Sequence, residues 1–328
     1  MPQETRREFV QQVAGSALLA GSGSLPALAA ATQAGHSKVI VARDNTLHSS
    51  GQLDEKRVGA LLDRAMASYT GKQHSVEAWK HILRNDKVIA LKVNGLGSKG
   101  IATHAPLIIA VCERLQAAGI KPGNIIVWDN RTDFVQNCGL TLSHDPNKVR
   151  VTSSEIEGYE EQQSSFGVAR IKLAKILTRQ CDMVIGMPIL KDHSMAGLTF
   201  AMKNMYGVVD RPMDLHGTGC SPAVADLNCI PVVRQKVRFT IGDALSSVYD
   251  GGPGFHPERL WYPNALIVGE DRVAVDHTAW QMLEHKRAEV GMKSLDAAGR
   301  PPRYIAVAAD NTHALGTNDP ARIHLQEV

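Results

Sequence analysis

Cysteine is scarce in this chain of 328 residues, and what there is does not cluster: Cys112, Cys138, Cys181, Cys220 and Cys229 include no CxxC pair. Ferredoxin-type ligation and four-cysteine zinc sites both need closely spaced thiolates, so the spacing disfavours an iron–sulfur cluster and that kind of zinc site. Cys112 in an apolar helix and Cys181 opening a strand read as small core residues. Cys220 and Cys229 share a loop containing Gly and Pro, where a disulfide is one alternative to two free thiols in an oxidising compartment. The odd count leaves at least one thiol free either way.

Excess charge is lacking too. The formal net charge is only +3, whereas a surface dedicated to nucleic acid would carry a marked basic excess. No apolar run approaches the roughly 20 residues of a bilayer-spanning helix, so no permanent membrane span is expected. GxSxG and HExxH are missing, which disfavours hydrolysis through a nucleophile elbow or a zincin site. There is no internal repeat.

What is present begins with Thr5, Arg6, Arg7, Glu8 and Phe9, a twin-arginine pattern followed by an apolar stretch from Val13 to Ala20. Ala27 and Ala29 then fit the A-x-A cleavage rule, with Ala29 to Ala31 as an alternative register. Residues 1–31 are expected to be a removable signal peptide taken up by the twin-arginine export machinery. The mature protein is then periplasmic or otherwise exported. That route carries folded proteins, which suits one loaded with a cofactor beforehand.

After a linker-like stretch to Gly35, short apolar runs alternate with helical patterns. SKVIVAR, KVIALKVN, NIIVWDN, the run from Cys181 to Met187, FTIGDAL and NALIVGE read as strands. LDEKRVGALLDRAMASY, APLIIAVCERLQAAG, ARIKLAKILTRQ and a segment from about Val273 to Glu284 read as helices, with Asp54, Pro106 and Gly119 suited to their ends. Residues 36–328 therefore predict a single α/β domain. Its sheet is mostly parallel with helices on both faces, and long loops cover the carboxyl-end crevice. Asn94, Asp129, Lys191, Asp243 and Glu270 fall at or just beyond strand ends, and one crevice is expected to collect several of them.

The densest polar motif follows the strand that Pro188 breaks. Lys191 and His193 are two apart, so in extended backbone they share a face. Lys203 and Asn204 lie farther on, along a helix expected to begin near Met195. One reading makes these a solvated lysine and a helix-flanking histidine. The other gathers Lys191, His193 and Lys203 around a small anionic ligand, with backbone N–H groups assisting. Either lysine, desolvated beside other cations, could serve as a general base or Schiff-base amine. Neutral His193 could instead bind a metal.

The loop NGLGSKGIATH reads either as a simple flexible turn or as a second wall of the same pocket, with Asn94, Lys99, Thr103 and His104 as ligand-binding candidates. Its glycines are taken to admit backbone N–H groups to an anion, not to form a dinucleotide fingerprint or a phosphate loop. Among the acids, Asp271 is expected to cap a helix and Asp250 to serve the DGGPG turn. Asp129 and Asp243 remain for a divalent cation, a substrate hydroxyl or acid–base work. Asp276, in an apolar helix, needs a partner if buried, a lysine being one option. His216 and His256 sit in long connections, where each reads as an ordinary loop histidine or as part of a lid over the crevice. The candidate site is thus Lys191, His193, Lys203 and Asp129 for chemistry, with Asn94, Lys99, Thr103, His104, Asn204 and Asp243 for binding. His193, Asp129 and Asp243 are the candidate ligands should a divalent metal be held. The residues name no cofactor.

These segments resemble the family catalogued as domain of unknown function 362. The likeness lies in KVNGLGSKGIATHAP, in KDHSMAGLTFAMKNMYG, and in GDALSSVYDGGPG with GEDRVAVDHTAW. It covers most of the chain after the signal and implies a shared core and pocket. Some family members carry iron–sulfur ferredoxin segments, but this chain lacks the clustered cysteines. The expectation is an exported enzyme that binds an anionic small molecule in a Lys/His/Asp pocket and catalyses proton transfer of isomerase or lyase type. A metal- or redox-cofactor carrier and a non-catalytic ligand-binding protein are the alternatives.

Overall fold

A computed structural model of the chain describes residues 36–48 and 52–328; the twin-arginine pattern and its cleavage site lie outside the described residues. In chain order the strands are β1 (Ser37–Arg43), β2 (Ile89–Lys92), β3 (Ile125–Asp129), β4 (Arg150–Ser153), β5 (Ser164–Phe166), β6 (Ala169–Ile171) and β7 (Met183–Gly186). There follow β8 (Ile189–His193), β9 (Gly197–Thr199), β10 (Val237–Val248), β11 (Leu260–Trp261), β12 (Ala265–Gly269) and β13 (Ile323–Glu327). The main sheet runs β13-β1-β12-β10-β7-β2-β3-β4, with β8 and β11 also on β10 and β9 on β8. β10, β7, β2, β3 and β4 are parallel neighbours, and β8 also runs parallel to β10. β12 alone among the central strands is reversed, antiparallel to both β1 and β10.

Both faces of the sheet are buried, and residue alternation sorts the side chains between them. Ile89, Leu91, Ile125, Val127, Met183 and Ile185 join one apolar cluster with the helices Glu55–Thr70, Ser75–Leu83 and Ala105–Ala117. Ala90, Ile126, Trp128 and Val184 join the other, under the helices Ala223–Cys229, Arg272–Glu289 and Tyr304–Ala309. Strands covered on both sides read as continuous apolar runs, which is why these were legible. Asp54 caps the Glu55–Thr70 helix by accepting from Lys56 N and Arg57 N, and Asp271 caps Arg272–Glu289 through Val273 N and Ala274 N. No helix among the described residues is long and apolar enough to cross a membrane.

Three expectations are corrected. Because β12 is antiparallel, Glu270 leaves the sheet at the end opposite Asn94, Asp129 and Lys191; apolar composition carries no strand direction. ARIKLAKILTRQ is not one helix: its start is β6, paired with β5 in a separate hairpin, and only a π-helical turn, Ile176–Gln180, follows. No helix begins at Met195 either. The chain turns there from β8 into antiparallel β9, and Lys203 opens the 3-10 helix Lys203–Val208.

Candidate functional site

β2 and β3 pair Lys92 with Trp128, so Lys92 and Asp129 emerge together at the carboxyl edge of the sheet. Lys92 Nζ donates to Asp129 Oδ1 at 2.6 Å and to Val93 O at 2.7 Å. Asp129 also accepts from Gly95 N at 2.8 Å and Asn130 N at 2.6 Å. Both charges are buried, and their mutual pairing with added backbone donors is what makes that burial tolerable.

Fully buried Lys191 stands on β8 above this pair. Its Nζ donates to Asn94 Oδ1 at 2.8 Å and to Leu96 O. Asn94 Nδ2 donates to Asn204 Oδ1 at 3.0 Å, and the same oxygen accepts from Lys92 Nζ at 3.4 Å, so hydrogen bonds link Lys191 to Asp129; Asn204 Nδ2 also donates to Lys92 O at 2.9 Å. Burial lowers Lys191 to about 7, with Lys203 and Lys92 adding repulsion and Asp129 opposing it. An amine so placed is half unprotonated near neutrality.

Beside it lies a second group. Lys203 Nζ is 3.3 Å from His216 Nε2 and 4.0 Å from the centre of the Tyr206 ring, a cation–π contact, and it faces the Cys220 thiol. Burial lowers Lys203 to about 8, against the pull of Cys220. His216 Nδ1 is 2.9 Å from Pro212 O, so the proton sits on Nδ1 and Nε2 offers its lone pair to Lys203. The His193 ring stacks on His216 at 5.7 Å. Its Nδ1 accepts from Met195 N and Ala196 N, which leaves the proton on Nε2. Burial, then Lys203 and His216, push His193 down to about 2, so the ring is neutral. Asp192, pointing the other way from β8, pairs with Arg300 and accepts from Gly252 N.

The site is closed over by its own loops. A Cβ on Gly97 would stand 2.3 Å from Pro253 O, and one on Gly252 would stand 1.9 Å from Asp192 O. The surface is nevertheless one residue away, because Leu96 and Met195, whose backbones hold Lys191 and His193, are exposed. Gly95, Gly97 and Gly100 do have G-x-G-x-x-G spacing, so pattern alone does not exclude a dinucleotide fingerprint. Here the N–H of Gly95 is taken by Asp129, and a Cβ on Gly95 would fall 1.7 Å from Phe134 O. These glycines admit neighbouring protein backbone, and no exposed cradle is left for a pyrophosphate.

Of the residues singled out from sequence, Asn94, Asp129, Lys191, His193, Lys203 and Asn204 come together. Thr103 supports them, accepting from Asn94 N at 2.9 Å and donating to Met187 O at 2.7 Å. Lys99 is exposed and joins none of these bonds. His104 and Asp243 pair with each other at 2.8 Å, with Ser246 Oγ 3.1 Å from the far ring nitrogen. Burial works against charge on His104, but Asp243 wins and raises it. His193, Asp129 and Asp243 do not form a metal site, and no group of three or more His, Cys, Asp or Glu side chains among the described residues is placed to hold a metal ion. Their acceptor atoms are already committed, to backbone N–H groups, to Lys92 and to His104. Asp276 holds no lysine: it accepts from Ala201 N and Met202 N, and burial raises it to about 7. Asp250 serves Arg287 and Arg300 and not the glycine turn. Cys220 and Cys229 are free thiols.

Sequence reasoning passed over Lys92 and undervalued His216. Lys92 had a signal, a lysine inside a strand otherwise apolar on both faces. His216 had none, since only the folded loop brings it to Lys203.

Residues 89–281, more than half of the chain, match the family described as Domain of unknown function (DUF362). A crystal structure of a protein from Thermotoga maritima superposes with a TM-score of 0.44 at 13% identity, over 71% of this chain and 59% of that chain. No curated protein matches the chain.

Proposed function

This chain belongs to the DUF362 family, and from that premise we propose that it is an exported enzyme that binds a small anion among Lys191, Lys203 and His193 and moves a proton on it. One observation carries the reading: among the described residues three buried amines, Lys92, Lys191 and Lys203, share a site with one carboxylate, Asp129, already paired with Lys92. Uncompensated buried cations are costly, and an anionic ligand relieves that cost. A carboxylate held by Lys203 and the Nε2–H of His193 leaves its neighbouring carbon to Lys191. The Lys191 amine takes the proton from that carbon. The electron pair moves onto the carboxylate or carbonyl oxygen facing Lys203, and return of the proton or loss of a leaving group completes isomerisation or elimination.

The test follows carbon-bound hydrogen. Protein exported by its source host is incubated in D2O with 2-oxo, 2-hydroxy and 3-oxo carboxylates, and solvent exchange is read by NMR. At least one is expected to exchange, with a rate loss of about 100-fold or more in Lys191→Met and weakened binding in Lys203→Met. Unchanged affinity in both variants rejects the shared anion site. Saturable binding without exchange makes the protein a binder, and stoichiometric transition metal in the same preparation supports the metal-carrier alternative.

Export rests on Arg6 and Arg7. Replacing both by lysine is expected to hold the precursor in the cytoplasm, as judged by fractionation. Undiminished export would discard the twin-arginine route.

A further inference from the structure

At the other end of the sheet, where the parallel strands begin, lies a cavity of about 230 Å3 whose lining includes Arg84, Arg234, Arg238, Arg272 and Glu270. Four segments deliver these groups. Arg84 ends the Ser75–Leu83 helix ahead of β2, Arg234 lies in the short helix Pro231–Lys236, and Arg238 is the second residue of β10. Reversed β12 brings Glu270 and Arg272 to the same place. The convergence is therefore a product of topology, and it is remote from the lysine cluster.

The guanidiniums are under-supplied with partners. Arg272 is 6% exposed, and its side chain makes a single hydrogen bond among the described residues, from Nη1 to Asn228 Oδ1 at 2.6 Å. Arg238 pairs with Asp86 through Nη2, but its buried Nε has no partner. Among the described residues Arg234 reaches only two backbone carbonyls, His313 O and Ala314 O. No hydrogen bond or salt bridge to the Arg84 side chain is present among the described residues. The carboxylates acting on the group are Glu270, Asp86, Asp271 and Asp276, of which Asp86 is paired with Arg238 while Asp271 and Asp276 accept from backbone N–H groups. Burial and the charge of Arg84 hold Arg238 below its ordinary value, and burial brings Arg272 down to about 10.

We propose that this cavity binds a phosphoryl group, as inorganic phosphate or as a small phosphate monoester. Guanidinium forks arriving from different segments match a tetrahedral oxyanion, whose oxygens present acceptors in several directions; a carboxylate offers two oxygens in one plane. The volume is below the roughly 300–1,000 Å3 of sites for drug-sized ligands, which limits the ligand to a small one. The spare donors of Arg272 are buried polar groups of the kind a bound anion satisfies.

The test is calorimetric titration at constant ionic strength with inorganic phosphate, glycerol 3-phosphate and citrate. Saturable binding of phosphate or the monoester is expected, and whichever binds more tightly identifies the free or esterified form. Arg84 has a φ of +55°, a conformation glycine adopts freely, so Arg84→Gly removes the charge while easing the backbone. Its affinity is expected to fall at least tenfold, and Arg238→Gln to behave alike, while Lys191→Met leaves phosphate binding unchanged. Absence of saturable binding in the parent protein, equal affinity in both arginine variants, or tighter binding of citrate than of either phosphate would overturn the assignment.

Discussion

Asp129→Ala is expected to destabilise the protein by about 3–5 kcal/mol, the range for removing one partner of a buried ion pair. The carboxylate is the direct counter-ion of Lys92 and the acceptor for Gly95 N and Asn130 N. It is also the charge that holds Lys191 up against desolvation. Alanine leaves a buried ammonium without an anion and two backbone donors without their acceptor. Lys92→Met should be milder, about 1–3 kcal/mol, because Asp129 keeps both backbone donors and the charge of Lys191 nearby. Chemical denaturation of the two variants measures the asymmetry. Equal costs, or a cheaper loss of Asp129, would mean that Asp129 does not organise the cluster.

The second large effect is a pH dependence owed to Lys191. An unfolded lysine titrates near 10.5, whereas Lys191 is lowered to about 7 in the native state. Between those values the unfolded chain binds more protons than the folded one, so stability rises with pH across the window. Lowering the pH from 10.5 loses this contribution until both states are protonated, below about 7. Lys203, at about 8, acts in the same direction over a narrower range. Other groups interfere at the edges. His193 favours higher pH and Asp276 lower pH beneath neutrality, and the buried thiols of Cys112 and Cys181, raised to about 12, favour lower pH above 9. The clean comparison is therefore wild type against Lys191→Met from pH 7 to 9. Over that interval wild type should gain about 2 kcal/mol relative to the variant. The hydrogen bonds to Asn94 and Leu96 lost in the variant shift the curve without tilting it. A flat difference would show Lys191 to be protonated throughout and would remove the basis for a neutral amine acting as base.

Loss of Lys191 thus has separable readouts. The pH slope reports its protonation in the free protein, and D2O exchange reports whether that amine meets a substrate. Neither measurement involves the arginine cavity, whose test turns on Arg84 and Arg238.

Much of this architecture is local information. The apolar runs of β1, β2, β3 and β7 are visible because strands covered on both faces need apolar residues throughout. Asp54 and Asp271 are recognisable caps because a cap and the N–H groups it serves lie within three residues. Lys191 and His193 share a face because extended backbone alternates every residue, and that holds whatever β8 packs against. The spacing also places Asn94 and Asp129 at strand ends. What those residues meet was decided by the tertiary structure. Lys92 became the partner of Asp129 through the parallel pairing of β2 with β3, and His216 reached Lys203 only through a folded loop. Asp243 was claimed by His104, whereas Glu270 was carried to the far end of the sheet, among the arginines, by the reversal of β12. Periodicity records which side of a strand a residue occupies. Neighbour, direction and loop closure arise from contacts between segments far apart in the chain, and these set both the charge balance and the protonation of the buried lysines.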